Sequence, residues 1–245
     1  MATSKHQNFF LHFYHLLTAH SVAGGVWYLL VGVVVALVVI LNPFGVWIKV
    51  RPFVTWLHEG GHALATLALS GKVRSITLRK DTSGLTLCSV PLRRGLFKNV
   101  RSALVALAGT PMPMVVGGAI ALGLVYGYVH LVLGVLLAGI VLTLVQLRNW
   151  WGLLVVLIIG VLLAGAWALG AVVSEALLGV MAGVGLLGGL RSVFEGHRSR
   201  DARDGSADAE AAGAMLHIPV TWIEGVWVLS WVAVMVGVVV GICYR

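Results

Sequence analysis

Leu57-His58-Glu59-Gly60-Gly61-His62-Ala63-Leu64 is the stretch on which the reading of this chain turns. It carries the pattern H-E-x-x-H. On a helix, His58 and His62 stand roughly 40° apart in rotation and one turn apart along the axis. Two imidazoles on one face can grip one Zn2+ ion, and Glu59 beside them can take a proton from an attacking water. The octet lies within an apolar run. Ionisable groups at membrane depth are costly, so such a cluster marks a functional site. The plain alternative is a trio of His and Glu side chains paired with one another inside a bundle.

The rest of the chain fits that setting. It is 59% hydrophobic and 11% charged, the composition of a polytopic membrane protein. Its 245 residues suit a single membrane-embedded domain, 1–245. A net charge of +8 is what cytoplasmic loops facing anionic lipid produce, and it calls for no nucleic-acid partner. Cys88 and Cys243 imply neither a disulfide framework nor C-x-x-C metal spacing. The first apolar run has no small-x-small cleavage site and reads as a retained span.

Residues 1–21 are aromatic and His-rich, as in an interfacial helix. His6, His12, His15 and His20 are not spaced i,i+4 on one face. A first span over 22–41 ends at the Asn42-Pro43 turn. A second, 43–69, carries the motif, and Pro52 is expected to kink or restart it. Gly60 and Gly61 allow a neighbouring helix or a substrate backbone to come close. Lys72 to Leu78 and Leu85 to Val90 are rich in strand formers and flank the turn Asp81-Thr82-Ser83-Gly84, which predicts a β-hairpin. An edge strand there can hold an extended peptide, or the hairpin simply caps the bundle. Further spans are expected over 102–128 and 130–147. The apolar run 150–190 is too long for one span, so it should be two helices turning near Gly165–Gly170, with Glu175 buried. A polar segment, 191–219, precedes the last span, 222–243. The GxxxG pairs Gly123/Gly127, Gly179/Gly183 and Gly237/Gly241 suit packing within the bundle rather than dimer interfaces. The fold expected is an all-α polytopic membrane protein of six or seven transmembrane helices with one membrane-associated β-hairpin.

Loop charge orients the chain. Residues 71–101 hold eight Lys or Arg and one Asp, so this segment should be cytoplasmic. Counting crossings from there puts the N-terminus, Arg148 and the 191–218 loop on the same side. Lys49, Arg51 and Arg245 are exceptions to this pattern; His58 is only a few residues past Lys49 and Arg51, so either these two snorkel outward or the zinc lies nearer the external side than the middle of the membrane.

With His58-Glu59-Gly60-Gly61-His62-Ala63-Leu64, the hairpin and the polytopic frame, the chain resembles the site-2 protease family of intramembrane zinc metallopeptidases. It is most similar to a small bacterial branch lacking PDZ or CBS domains. The resemblance covers residues 43 to 235. It implies zinc held by His58 and His62, with Glu59 catalytic. The family's third ligand is an Asp from a later segment, most often in Leu-Asp-Gly, which is absent here. Ser206-Ala207-Asp208-Ala209, with His217-Ile218-Pro219 and Trp222 following, resembles a variant of that motif and carries the role onto Asp208. Ala108-Gly109-Thr110-Pro111 partly resembles the family's Ala-Gly-Pro segment without its Asn. Gly84, Leu85 and Thr86 of the hairpin, with Gly109, are the residues expected to meet substrate.

Chemistry leaves other third ligands open. A catalytic zinc takes three protein ligands and one open position. Glu175, Glu195, His197, Asp201, Asp204, His217 and Glu224 are unused, and His217 and Glu224, near the last span, compete most directly. The resemblance implies hydrolysis of peptide bonds in or near transmembrane segments of membrane-tethered proteins. The partners would be a transmembrane protein substrate and the lipid bilayer, in a bacterial plasma membrane. Two alternatives stand beside it: a non-proteolytic zinc-binding membrane protein, and a transporter-like bundle whose His-Glu cluster relays protons.

Overall fold

The computed structural model describes residues 24–41, 45–91, 96–201 and 207–244. The N-terminal His residues, the Asn42-Pro43 turn, Arg93, Arg94, Asp204 and Ser206 lie outside them. Among the described residues, nine helices and one hairpin follow in order. They are α1 (Gly25–Leu41), α2 (Val46–Ala68), β1 (Lys72–Leu78), β2 (Gly84–Ser89), α3 (Leu96–Ala108), α4 (Met112–Val125), α5 (Val129–Gln146), α6 (Trp150–Leu169), α7 (Ala171–Asp201), α8 (Ala207–Leu216) and α9 (Val220–Cys243). Among the described residues, four helices are long and apolar enough to cross a membrane, or up to six if each of two bent pairs counts as one span. The bent pairs are α1 with α2, and α3 with α4.

Small residues set the closest packing. Gly32 of α1 meets the main chain of α7 at Gly179, and Gly183 meets Gly32 and Ala36. A Cβ at any of these glycines would collide with backbone, so α1 and α7 run side by side at short range. Gly117 of α4 approaches Ala182 and Gly185 in the same way. The expected break in the long apolar run is the single residue Gly170, at φ 103°. Only glycine takes that conformation without strain, so α6 and α7 fold back antiparallel there.

These contacts give the bundle two distinct ends. At one, Gly25 abuts the Leu124 carbonyl, Gly170 joins α6 to α7, and Gly241 of α9 meets Leu122 and Tyr126. At the other lie the hairpin, α3, α8 and the start of α9. Both ends of α2 belong to this second end. Its first turns bear Arg51, whose guanidinium is 3.4 Å from Glu195 of α7. Its last turn leads into β1, where Ile76 bridges Leu147 at the end of α5 and the Arg148 N–H donates to the Ile76 carbonyl at 3.1 Å. The stretch read in sequence as a second span therefore lies across one end of the bundle. Gly25, the first residue of α1, is at the end opposite the hairpin. Pro52 does not interrupt α2. It sits early in the helix, where its missing N–H forfeits one bond, to the Ile48 carbonyl.

β1 and β2 pair antiparallel, Ile76 with Thr86 and Leu78 with Gly84, with an irregularity between Val73 and Ser75. The side of β1 away from β2 is closed. Asn149 accepts from the Leu78 N–H at 3.2 Å and donates to the Leu78 carbonyl at 2.5 Å. Among the described residues β2 pairs with β1 alone, and Leu85 and Leu87 are exposed.

Candidate metal centre

The motif helix is held from three directions. Gly61 lets α2 touch the corner between α3 and α4, since a Cβ there would lie 2.5 Å from the Ala108 carbonyl. The hairpin closes over the opposite side, where Thr55 Oγ1 donates to the Thr82 carbonyl at 2.7 Å. Gly60 faces neither, with no heavy atom within 4 Å of its would-be Cβ. It borders an apolar groove between α2, β1, α4 and α5.

His58 and His62 turn their Nε2 atoms toward each other at 3.1 Å, with the rings edge-to-face. His62 Nδ1 donates to the Val105 carbonyl of α3 at 2.7 Å. That bond fixes the tautomer and leaves Nε2 as the free lone pair, as metal-binding imidazoles require. Asp208, in the first turn of α8, brings Oδ2 to 2.9 Å from His58 Nε2 and 3.2 Å from His62 Nε2. Burial works against the Asp208 carboxylate, but hydrogen bonds from the two imidazoles outweigh it and hold the group below the usual carboxylate range. Without metal those contacts need imidazole protons, which an ion would replace.

The donor set fits zinc. Three ligand atoms at 2.9, 3.1 and 3.2 Å from one another form a nearly equilateral triangle. Tetrahedral zinc with ligands near 2.0–2.1 Å sets such edges at about 3.3 Å. Two imidazoles and one carboxylate are the ligand types it takes, with a fourth position left over. Gly109 adds a second sign. A Cβ there would lie 2.5 Å from His62 Cε1 and 2.8 Å from His58 Nε2, so the residue leaves the ligand edges uncovered.

α8 reaches this place through a small core of its own. Ala209 and Ala212 pack fully buried with Ala103, Ile223 and Trp227. Alanine on this face brings α8 close enough to α3 for Asp208 to meet α2.

The other third-ligand candidates lie elsewhere. Glu224 accepts from His197 Nδ1 at 3.0 Å. Glu195 pairs with Arg51 and Arg191. His217 is exposed at φ 58° between α8 and α9. Glu175 is fully buried near the far end of α7. The side chain of Asp201 is outside the described residues. His58, His62 and Asp208 are the one group of three or more potential ligands found among the described residues.

Glu59 is 4% exposed and faces the hairpin. Thr86 Oγ1 donates to Glu59 Oε2 at 2.6 Å. A Cβ at Gly84 would lie 2.6 Å from Glu59 Cδ. Two of the hairpin residues assigned to substrate, Gly84 and Thr86, thus touch Glu59, while Leu85 points outward. The Val105 carbonyl and the Asn149 lock escaped the sequence reading. A main-chain acceptor leaves no mark in a sequence, and Asn149 reads there as an ordinary break residue.

The class these features define is a membrane-embedded metallopeptidase. A family model described as Peptidase M50B-like matches residues 30–242. The chain therefore belongs to that family, the site-2 protease family, whose members are zinc metallopeptidases acting within membranes. No curated protein and no solved structure matches it.

Proposed function

We propose that this chain hydrolyses peptide bonds in or near transmembrane segments of membrane-tethered proteins, with His58, His62 and Asp208 as zinc ligands and Glu59 as general base. The observation that carries the reading is the meeting of Asp208 Oδ2 with both imidazoles, from a helix remote in sequence. Bound there, zinc supplies a Lewis acid for the scissile carbonyl and makes water a better nucleophile. Glu59 takes the proton of the attacking water and delivers it to the leaving amine. A substrate segment, unwound and extended, adds to the free edge of β2 along Gly84, Leu85 and Thr86, since Asn149 closes the β1 edge. Gly109 bounds the same space from the α3–α4 corner. The basic hairpin faces the cytoplasm, and the bilayer delivers the substrate laterally.

Glu59→Gln tests this. The variant should keep one zinc per chain and cleave no labelled single-span peptide reconstituted with it in liposomes. Cleavage at the unaltered rate would remove Glu59 as base and the peptidase reading with it.

A further inference from the structure

One face of β2 is shaped around the Glu59 carboxyl group. Strand residues alternate between faces, so Gly84 and Thr86 point together toward α2 while Leu85 and Leu87 point away. Exposure follows that alternation: Leu85 is 44% and Leu87 50% exposed. On the inner face the two residues do different things. Thr86 has a single hydroxyl proton. Oε2 at 2.6 Å takes it, while the Glu59 main-chain carbonyl, 3.3 Å from the same oxygen, is a secondary contact. Gly84 lies flat against the other side of the group, at Oε1, where a Cβ would stand 2.3 Å from Oε1 and 2.6 Å from both Cγ and Cδ. One residue donates, and the other has no side chain to push the carboxyl away. The strand cannot slide, because Thr55 holds the turn at Thr82 and Asn149 holds the far edge of β1 at Leu78.

We infer that Thr86 is a positioning residue for Glu59: its hydroxyl pins Oε2 against β2, so that the remaining oxygen, Oε1, is the one that receives the proton, and Gly84 is the clearance that makes this seat possible. The inference rests on Glu59 acting as the base. It also ties the base to the strand on which substrate is proposed to pair. A substrate that shifts β2 shifts the oxygen that catalyses its cleavage.

The test uses the full chain in detergent with 13C-labelled glutamate. The Glu59 carboxyl band is taken as the infrared difference between the chain and Glu59→Gln. Thr86→Val removes the hydroxyl and keeps the shape, and Thr86→Ser keeps the hydroxyl. The Glu59 band should move in Thr86→Val and stay in Thr86→Ser, with zinc content equal in both. Against labelled casein, kcat should fall roughly tenfold in Thr86→Val with KM unchanged, as loss of a hydrogen bond to a charged group implies, and Thr86→Ser should recover most of it. Should Thr86→Val fold poorly, Gly84→Ala provides the second arm, since its methyl group displaces the same carboxyl group and should move the same band. A Glu59 band unchanged in both Thr86→Val and Gly84→Ala would overturn the inference, whatever the activity. Casein cleavage undiminished in Glu59→Gln would instead sink the proposed function and leave the infrared result standing on its own.

Discussion

Replacing Gly109 with Ala should damage the metal centre without touching a ligand. The added methyl would lie 2.5 Å from His62 Cε1 and 2.8 Å from His58 Nε2. Carbon atoms in ordinary contact sit about 3.5–4.0 Å apart, so about 1 Å of overlap must be relieved. Neither ring yields easily. His62 is held through Nδ1 by the Val105 carbonyl at 2.7 Å, and His58 stands edge-on to it with ring centroids 4.8 Å apart. The backbone at 109 is not left-handed, so the clash alone decides. Overpacking of this kind costs about 1–3 kcal/mol, and disturbing what orients a ligand lowers metal affinity about 10- to 100-fold. Chelator competition on the full chain in detergent measures that drop, and thermal unfolding with and without zinc measures its share of stability. Gly60→Ala is the control. It lies in the same motif with open space where its Cβ would go, and alanine in a helix gains about 0.5–1 kcal/mol over glycine. It should bind zinc as the parent does and melt no lower. Unchanged zinc affinity in Gly109→Ala, or equal loss in both variants, would refute the placement of the metal between those imidazole edges.

Three other expectations can be checked in turn. Asp208→Ala should lose zinc, while Glu224→Ala, whose carboxylate pairs with His197, should retain it; metal analysis of purified chains decides between them. Native Cys243 lies at the bundle end opposite the hairpin, so in intact cells an impermeant thiol reagent should reach Cys243 and not Ser83→Cys if the hairpin is cytoplasmic; labelling of both from one side would contradict the two-ended bundle. Asn149→Ala removes both bonds to Leu78 and should raise hydrogen exchange across Lys72–Leu78, with a loss of about 1–3 kcal/mol in protection.

How much of this was legible in the sequence depended on how local each feature is. The H-E-x-x-H spacing fixes both imidazoles and Glu59 within a turn and a half of one helix, so no tertiary knowledge was needed. The Gly170 turn was legible from length, because an apolar run of that size exceeds one span. Asp208 was not legible by chemistry alone. Its position depends on Ala209 and Ala212 packing with Ala103, a shape fit that no spacing rule expresses. It came through the resemblance. The path of α2 was misread because hydropathy measures apolar length and is blind to direction. Lys49 and Arg51 were the available sign, two cations where a crossing helix would have none.

That path also fixes where the site lies along the bundle. Arg51 is tied to Glu195, and Arg191 donates to the Ile40 carbonyl and covers the Trp47 ring, so the start of α2 is anchored by charge. The hairpin after its last turn is anchored at Leu147 and Asn149. Between these anchors the motif meets the α3–α4 corner. From that corner α4 runs 14 residues to the opposite end, about 21 Å at 1.5 Å per residue. The cluster therefore lies nearer the hairpin end of the bundle than the end where Gly25 meets Leu124. The His58 and Asp208 side chains are each 26% exposed there, while α1, α4 and α7 pack glycine-tight towards the far end. A helix crossing the membrane with the same motif at its centre would have to bring both water and three polar ligands to mid-bilayer. Laying α2 across one end avoids that desolvation.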